Sequence, residues 1–181
     1  MARFSFRHAR IRGRLANLAL LAGLLLLLAW LRAPEQLTDA EGLAVRVMDG
    51  DSLRIGTRIV RIGGIDAVEL HQQCKMPDGA VWPCGRDARE ALHEMVARGD
   101  LACRSRQEDR YGRALSQCAV RDVADVAAAL VRQGWAVSGD GRDNGPYRTE
   151  QATARAAGRG IWQGRFDRPG DWRAANRHPR D

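Results

Sequence analysis

The stretch at residues 43–65 reads LAVRVMDGDSLRIGTRIVRIGGI, and it decides the fold. Its apolar residues alternate with polar ones and are rich in Val and Ile, which is typical of β-strands. Two turn dipeptides, Asp49-Gly50 and Gly56-Thr57, divide the stretch into three parts. The predicted strands are residues 43–48, 53–55 and 58–65. The sequence therefore predicts a three-stranded meander at the start of a folded domain.

Downstream of the meander, the pattern changes to helices and a second pair of strands. A loop-like stretch at 71–85 is followed by apolar residues at helical spacing, and Gly99 ends that helix. The predicted elements are a helix at 86–98, strands at 101–104 and 114–120, a helix from an Asp122 cap to Gly134, and a weaker helix at 147–157. This order fits a five-stranded OB-fold barrel with three flanking helices.

The N-terminal region has a different composition. Residues 15–31 are apolar apart from Asn17, and residues 1–33 contain six arginines and no acid. Such a stretch lies at the lower limit for crossing the hydrocarbon core, and the basic flank predicts a cytoplasmic N-terminus. We expect a transmembrane anchor at 15–32 rather than a cleaved signal peptide, because no small-residue cleavage pattern follows it. A cleaved signal would instead release a secreted domain.

These features predict a single-pass membrane protein whose folded domain is periplasmic or extracellular. The predicted segments are a cytoplasmic basic flank at 1–14, the anchor at 15–32, a linker at 33–42, the domain at 43–172 and a flexible tail at 173–181. The net charge of +7 lies mostly in the first 33 residues, since the remainder carries 23 basic against 22 acidic groups. Any nucleic-acid site must therefore be a local cluster rather than a general basic patch.

All four cysteines, Cys74, Cys84, Cys103 and Cys118, follow the apolar segment. An even number in an exported domain favours disulfides, and three pairings are possible. We expect Cys74–Cys84 and Cys103–Cys118, because the second bridge would join the two strands of one hairpin. Zinc binding is disfavoured because no paired CxxC motif is present. Four reduced core thiols would require a reducing compartment.

Three short stretches concentrate charged residues at strand ends and in loops. They are DGDS at 49–52, RIGGIDAVE at 61–69 and DRYGR at 109–113. Cutting a phosphodiester requires a hard cation held by carboxylates, a carboxylate that activates water, and guanidinium groups that neutralise the phosphate. The three stretches together supply this set. Each stretch alone also has a structural explanation, such as a hairpin turn at Asp49-Gly50.

In combination and in this order, the stretches resemble the staphylococcal nuclease-like (thermonuclease) family. VMDGDSLRI at 47–55 is similar to its first catalytic strand and turn, RIGGIDAVE to its RLxGIDAPE segment, and DRYGR to its D-x-Y-G-R loop. LVRQGWA at 130–136 and GIW at 160–162 are further matches. The resemblance covers about residues 43–172. It implies an OB-fold domain and a calcium-dependent endonuclease.

The resemblance also implies a role for each matching residue. The implied Ca²⁺ ligands are Asp51, Asp66 and the backbone carbonyl of Ala67. The implied catalytic residues are Glu69, which would activate or position the attacking water, and Arg61 and Arg113, which would bind the phosphate and stabilise the transition state. The substrate would be single-stranded or duplex DNA, with RNA left open, hydrolysed by metal-assisted in-line attack of water.

Two accessory positions and two departures complete the comparison, and the milder departure is Ser52, which replaces a common threonine and keeps a hydroxyl. Asp49 matches an acid that lies near the metal without binding it directly. Tyr111 matches an aromatic residue near the nucleotide. Val68 replaces the family's usual proline, which removes a rigid element between Ala67 and Glu69. A displacement of about 1 Å at a catalytic group can cost on the order of 10²-fold in rate. The position of Glu69 is thus the sensitive point of the predicted site.

Two other functions compete with the nuclease hypothesis. A catalytically inactive binding module of the same fold, anchored at the membrane, would be expected to lack some of the five charged positions, and none is lacking. A membrane-anchored docking protein has no specific support in the sequence, and no obligate protein partner is implied. Single histidines outside any cluster disfavour a histidine-based mechanism.

Overall fold

A computed structural model of the chain describes residues 17–26, 35–140 and 145–176. It divides into two units, Met1–Glu35 and Gln36–Asp181. In the first unit, residues 17–26 form helix α1, and their side chains are exposed. Within the described ranges, no helix is both long and apolar enough to cross a membrane. The predicted anchor at 15–32 lies partly outside those ranges.

The second unit contains short strands and four further α-helices among its described residues. The strands are β1 (Gln36–Asp39), β2 (Val45–Val47), β3 (Ser52–Ile55), β4 (Arg58–Ile62), β5 (Ile65–Ala67), β6 (Cys74–Lys75), β7 (Val81–Trp82), β8 (Ala102–Glu108), β9 (Ala114–Ala119) and β10 (Ala136–Ser138). The helices are α2 (Cys84–Val96), α3 (Val126–Gln133), α4 (Arg148–Ala156) and α5 (Pro169–Ala175), with a 3₁₀ turn at Gly160–Gln163.

Six strands form one mixed sheet in the order β1-β8-β9-β4-β3-β2. Its neighbouring strands are antiparallel, except that β4 and β9 run parallel. Two smaller sheets pair β5 with β10 and β6 with β7. This half-barrel with helices fits the OB-like architecture predicted from the sequence, although it holds more strands than five and more helices than three.

The predicted meander is confirmed as β2, β3 and β4. Its inward side chains, including Leu53, Val60 and Ile62, are fully buried in the main core. The predicted strand at 58–65 ends early, because Gly64 adopts a left-handed φ of 78° and turns the chain into the separate strand β5. A Cβ at Gly50 would lie 2.7 Å from that of Ala67. The Asp-Gly turn therefore packs closely against β5, which brings the first two charged stretches together.

Residues 36–39, predicted to lie in the linker, instead form the edge strand β1. They pair with β8 from Gln36 opposite Ser105 to Asp39 opposite Ala102. The guanidinium of Arg58 supports this pairing, because it donates hydrogen bonds to Thr38 and Gln36. The sequence pattern of this polar segment does not predict a strand. It forms one because its backbone pairs with β8.

Two helix starts also differ from the prediction. Helix α2 begins at Cys84 rather than at residue 86, because the loop at 71–85 contains the β6–β7 hairpin and leads directly into the helix. Helix α3 is capped by Asp125, whose carboxylate accepts a hydrogen bond from the N–H of Ala128 at 3.0 Å. The predicted cap, Asp122, has a φ of 63° and lies in the preceding turn.

Both predicted disulfides are present, Cys74–Cys84 and Cys103–Cys118. Cys103 and Cys118 lie directly opposite each other on β8 and β9, so their bridge joins the hairpin whose turn is residues 109–113. The other bridge joins β6 to the first residue of α2. Each closes a short loop, which stabilises the fold by about 2–4 kcal/mol through its effect on the unfolded chain.

The C-terminal segment is ordered further than predicted. Helix α5 starts with Pro169 at its first turn and includes residues 173–175, which were assigned to a flexible tail. The preceding chain pairs with β6, since Lys75 and Arg165 exchange backbone hydrogen bonds of 2.9 and 2.7 Å. Residues 165–175 therefore lie beside the loop that follows β5. Residues 177–181 of the predicted tail are outside the described residues.

Candidate active site

Asp51 lies immediately before β3, after the Asp-Gly turn, and only 3% of its surface is exposed. Its Oδ2 accepts the backbone N–H of Ala67 at 3.0 Å, and its Oδ1 accepts the hydroxyl of Ser52 at 2.9 Å. Asp49 shapes the turn from the other side, because its carboxylate accepts the N–H of Asp51 at 3.0 Å. Two hydrogen bonds thus fix the Asp51 carboxylate in the floor of the site, and a third fixes its backbone.

Arg61 joins the two buried aspartates. Its Nη1 lies 2.7 Å from Asp51 Oδ1, and its Nη2 lies 2.8 Å from Asp66 Oδ1. Asp66 is on β5, opposite Val137 of β10, and is 4% exposed. Arg61 belongs to β4, where it pairs with Ser52 of β3. One guanidinium therefore offsets two carboxylates that would repel each other in a poorly solvated place.

The charge state of Asp51 responds to this environment. Burial raises the pKa of the Asp51 carboxyl to about 7, and the charges of Asp49 and Asp66 act in the same direction. The positive charge of Arg61 and the hydrogen bond from Ala67 lower it, without cancelling the effect of burial. Without a further cation nearby, Asp51 is therefore only partly ionised near neutral pH.

Glu69 follows β5 by two residues, and its side chain lies at the wall of the site. Its Oε1 accepts a hydrogen bond from Arg173 Nη1 at 2.7 Å. The same guanidinium contacts both oxygens of Asp66, at 2.9 Å each. Arg173 belongs to α5 and is more than 100 residues away from both carboxylates in the chain.

The DRYGR loop is the turn between β8 and β9. Arg113 contacts Asp109 through Nε and Nη2, both at 2.7 Å, and Asp109 also accepts the backbone N–H of Tyr111 at 2.9 Å. The Tyr111 ring is 63% exposed and lies 4.9 Å from the Arg110 guanidinium carbon and 5.5 Å from that of Arg113. Asp109 therefore orders both the loop and its arginine.

These elements surround one cavity of about 710 Å³. Its lining includes Asp49, Asp51, Arg61, Ala67, Val68, Glu69, Asp109, Arg110, Tyr111, Arg113 and Arg173. Of the eight residues that the sequence assigned to the site, seven line this cavity. The eighth, Asp66, is joined to it through Arg61 and Arg173. The meander, the segment that follows β5 and the β8–β9 turn thus converge on one cavity.

The sequence prediction missed three charged members of this cavity, Asp109, Arg110 and Arg173. Asp109 and Arg110 belong to the DRYGR stretch but were given no role in the site. Arg173 was assigned to a flexible tail, and no local signal could have placed its guanidinium beside Asp66. Pro169 and Asp171 do mark the first turn of a helix, so the existence of α5 could have been predicted.

The two buried aspartates fit a hard cation by the chemistry of their oxygens. A carboxylate has about four lone-pair sites. Asp51 uses three of them, on Ser52, Arg61 and Ala67, which leaves one on Oδ2. Asp66 also uses three, on Arg61 and Arg173, which leaves one on Oδ2. Each aspartate can therefore donate one oxygen to a cation without losing a contact.

Carboxylates alone do not complete a ligand shell here. Within residues 17–26, 35–140 and 145–176, no group of three or more His, Cys, Asp or Glu side chains is arranged to hold a metal ion. A cation would therefore take two carboxylate oxygens, the predicted Ala67 carbonyl and water. Mixed ligands of this kind suit Ca²⁺, which accepts carboxylates, backbone carbonyls and water in flexible geometry.

A mixed half-barrel with flanking helices and a charged cleft of aspartates and arginines defines a small OB-like domain of the nuclease type. The chain belongs to the family described as "Staphylococcal nuclease homologue", which residues 59–164 match. The match includes Arg61, Asp66, Glu69 and Arg113. It includes neither the Asp49–Asp51 turn nor helix α5.

Several named proteins are similar to this chain. "Succinoglycan biosynthesis protein ExoI" of Rhizobium meliloti is 36% identical over 118 residues, which are 65% of this chain and 62% of that protein. "Protein ParB" of Escherichia coli is 32% identical over 160 residues, or 79% of this chain and 84% of that protein. An "Uncharacterized endonuclease" of Escherichia coli O157:H7 is 31% identical over 134 residues, which are 71% of this chain and 81% of that protein.

Proposed function

We propose that this protein is a calcium-dependent nuclease that hydrolyses phosphodiester bonds of DNA, with RNA left open as a second substrate. One observation carries the proposal: Arg61 bridges two buried aspartates in the floor of a cavity whose wall carries Glu69 and Arg113. Family membership and a relative named as an endonuclease support it.

Each part of the cavity has a distinct chemical role in this proposal. Ca²⁺, held by Asp51, Asp66 and the Ala67 carbonyl, would supply Lewis-acid polarisation of a phosphate oxygen when bound. Arg61 and Arg113 present fork-shaped guanidinium groups, which match the oxygens of a phosphate. Tyr111, exposed at the rim, provides a flat surface on which a base can stack.

The reaction itself requires one proton acceptor close to the attacking water. Glu69 takes a proton from that water as its oxygen forms a bond to phosphorus. The opposite phosphorus–oxygen ester bond breaks in line, and its oxygen leaves with the electron pair. Arg61 and Arg113 offset the charge that builds up on the phosphoryl oxygens.

The test is cleavage of single-stranded DNA, duplex DNA and RNA by the full, disulfide-bonded chain with Ca²⁺, with Mg²⁺ and with chelator. We expect cleavage with Ca²⁺ that chelator removes and that Asp66→Ala and Arg113→Ala both abolish. Arg148→Gln, an exposed arginine on α4 outside the cavity, is the matched control and keeps full activity. A folded wild-type chain that cuts none of the substrates would reject the proposal in favour of a binding module.

Cation binding is expected to strengthen as the pH rises. Ca²⁺ binds the ionised form of Asp51, and burial raises the pKa of this carboxyl to about 7. Its ionised fraction increases about tenfold between pH 6 and pH 8, so the Kd for Ca²⁺ should fall by about the same factor. Calorimetry at both pH values measures this change. An equal Kd at pH 6 and pH 8 would contradict it.

An arginine ladder extends from the cavity across the outer face of the sheet. Arg46 and Arg54 are exposed and lie directly opposite each other on β2 and β3. Arg54 pairs with Ile59 and is therefore the diagonal neighbour of Arg61. Like charges in opposite positions are destabilising, and neither arginine pairs with a carboxylate among the described residues. A polyanion that extends from the cavity along this face would neutralise the charges of both arginines.

Replacing both exposed arginines, as Arg46→Gln with Arg54→Gln, should weaken binding of long DNA without changing cleavage of a dinucleotide. Each lost phosphate contact lowers the salt dependence of binding by about one unit of slope, so we expect a decrease of about two. Fluorescence anisotropy across a salt series measures the slope. Arg98→Gln with Arg148→Gln removes the same charge elsewhere and serves as the control. Equal slopes for the two double variants would contradict the role of the ladder.

We further propose that the domain functions outside the cytoplasm, held by the apolar segment at 15–32. The basic flank before that segment and the two disulfides support this location. A chain of full-length mass that stays in the membrane fraction after an alkaline wash is the expected result. A shortened chain in the soluble fraction would show a cleaved signal instead.

A further inference from the structure

Arg173 connects two carboxylates that the proposed reaction requires. It contacts both oxygens of Asp66 at 2.9 Å and Glu69 Oε1 at 2.7 Å. Asp66 has a second partner in Arg61 and lies within a paired strand. Glu69 lies outside any strand, and among the described residues Arg173 is the hydrogen-bond donor to its carboxylate. The Glu69 side chain is 28% exposed. The orientation of Glu69 thus depends on Arg173.

The chain before Glu69 is anchored, because Val68 is buried with 1% of its surface exposed, whereas the Glu69 side chain is 28% exposed. Val68 stands between Ala67 and Glu69, and a valine leaves φ free where a proline would fix it. Beyond Glu69 the chain turns at once, since Gln72 donates its backbone N–H to the Glu69 carbonyl at 2.8 Å. The ion pair with Arg173 restrains the carboxylate at the end of the side chain, which these backbone contacts do not reach.

The C-terminal segment reaches the same turn through a second contact. The Gln72 side chain is buried, accepts the N–H of Glu69 at 3.1 Å and donates to the carbonyl of Asp167 at 2.7 Å. The backbone bridge between Lys75 and Arg165 continues this contact. Residues 165–173, which we call the C-terminal clasp, therefore hold residues 66–75 at three successive points.

The clasp is compatible with a bound cation. Arg173 uses lone pairs of Asp66 but leaves one on Oδ2, and it uses one oxygen of Glu69. The clasp also lies beyond residues 59–164, the part of the chain that matches the family.

We infer that Arg173 is a positioning residue, which holds the Glu69 carboxylate in place beside Asp66 and acts on the reaction through Glu69. This inference rests on the proposed nuclease function. It assigns to the C-terminal helix a role in catalysis that the matched domain does not contain. The contact restrains the Glu69 carboxylate from the far end of the chain.

The experiment compares Arg173→Gln, Arg173→Lys and the control Arg148→Gln in the full chain. For Arg173→Gln we expect kcat to fall by about 10²-fold, with KM within about threefold and Ca²⁺ bound as tightly as in wild type or more tightly. Arg173→Lys keeps the charge but loses the fork, so its kcat should be intermediate. A kcat for Arg173→Gln within threefold of wild type, or above it, would overturn the inference.

A double-variant cycle tests whether Arg173 acts through Glu69. In a Glu69→Gln background, Arg173→Gln should lower kcat by less than about threefold, because the group that it positions is already inactive. A full additional loss would show that Arg173 acts independently and would overturn the inference. This result also separates positioning from a general loss of folding, which would affect both backgrounds equally.

Hydrogen exchange gives a readout that does not depend on activity. Without Arg173, the amides of residues 68–72 should exchange about tenfold faster, while those of the β8–β9 hairpin keep their protection. Unchanged exchange at 68–72 would overturn the positioning role. If wild type cut no nucleic acid, the nuclease proposal would fail, and the exchange experiment would still decide whether Arg173 holds this turn.

Discussion

Replacing Arg61 with alanine is expected to lower kcat/KM by about 10³-fold or more. An arginine that offsets charge on a transferring phosphoryl group contributes on the order of 10³–10⁵ in rate. Arg61 is placed for this role because it lies in the floor of the cavity, between the two predicted cation ligands. Its loss therefore removes a phosphate contact and disturbs both aspartates.

The same substitution is expected to destabilise the protein in the absence of Ca²⁺. Asp51 would keep its buried position without a guanidinium, and an unpaired buried charge costs about 3–5 kcal/mol. The cost should decrease as the pH falls, since Asp51 has a raised pKa and takes up a proton, and loss of the Arg61 charge, which lowers that pKa, extends this protonation to higher pH. Urea unfolding with chelator, at pH 6 and pH 8, measures both effects.

Arg58 provides a matched control on the same strand. It also donates hydrogen bonds, to Thr38, Gln36 and Ser105, but it does not line the cavity. Arg58→Ala should cost about 1 kcal/mol of stability and leave kcat/KM unchanged. Arg61→Lys should recover part of the stability and little activity, because an ammonium cannot bridge two carboxylates in the same way. Activity of Arg61→Ala within tenfold of wild type would exclude the proposed role.

Those parts of the fold that depend on local pattern could be predicted from the sequence. Strand alternation with the Asp49-Gly50 turn predicted the meander, and opposite positions on one hairpin predicted the Cys103–Cys118 bridge. The start of α3 was misplaced by three residues, because Asp122 and Asp125 are equally good caps in sequence terms. Only the backbone conformation separates them: Asp125 is extended, whereas Asp122 is left-handed.

Elements that depend on distant pairing could not be predicted in this way. Strand β1 consists of QLTD, whose polar residues predict a linker, and it becomes a strand only because the edge of β8 is available. The division of β4 from β5 depends on the conformation of Gly64. The strand-like pattern of residues 58–65 does not indicate this conformation. Tertiary context overrode local propensity in both cases.

The members of the site could be predicted more fully than the contacts among them. The three charged stretches indicated the residues, and the structure gathers them in one cavity or next to it. The sequence did not indicate that Arg61 would join Asp51 to Asp66, nor that Arg173 would join Asp66 to Glu69. Both contacts depend on packing between elements far apart in the chain.

The charges of the assembled site are consistent with a divalent cation. Four acids, Asp49, Asp51, Asp66 and Glu69, face two guanidinium groups, those of Arg61 and Arg173. These six groups carry two net negative charges when ionised, and Asp109, Arg110 and Arg113, which line the same cavity, carry one net positive charge, so the site as a whole has one net negative charge. Burial is the main cause of the raised pKa of Asp51, and the charges of Asp49 and Asp66 add to it.

Glu69→Gln is expected to lower kcat by about 10²–10⁴-fold, because a glutamine amide cannot take a proton from the attacking water. The substitution keeps the size of the side chain and one oxygen that can accept from Arg173. Asp51 and Asp66, which are proposed to bind Ca²⁺, remain unchanged. We therefore expect KM, the Kd for Ca²⁺ and the unfolding midpoint to stay close to those of wild type. Single-turnover cleavage with saturating Ca²⁺ measures the chemical step directly.

Glu90→Gln is the control for this substitution, since Glu90 is an exposed acid on α2 that does not line the cavity. It removes the same charge and should leave every parameter unchanged. A Glu69→Gln protein that retained more than about a tenth of the wild-type rate would show that no proton passes to Glu69. Loss of Ca²⁺ binding together with activity would instead make Glu69 a cation ligand, because only a ligand would change both constants at once.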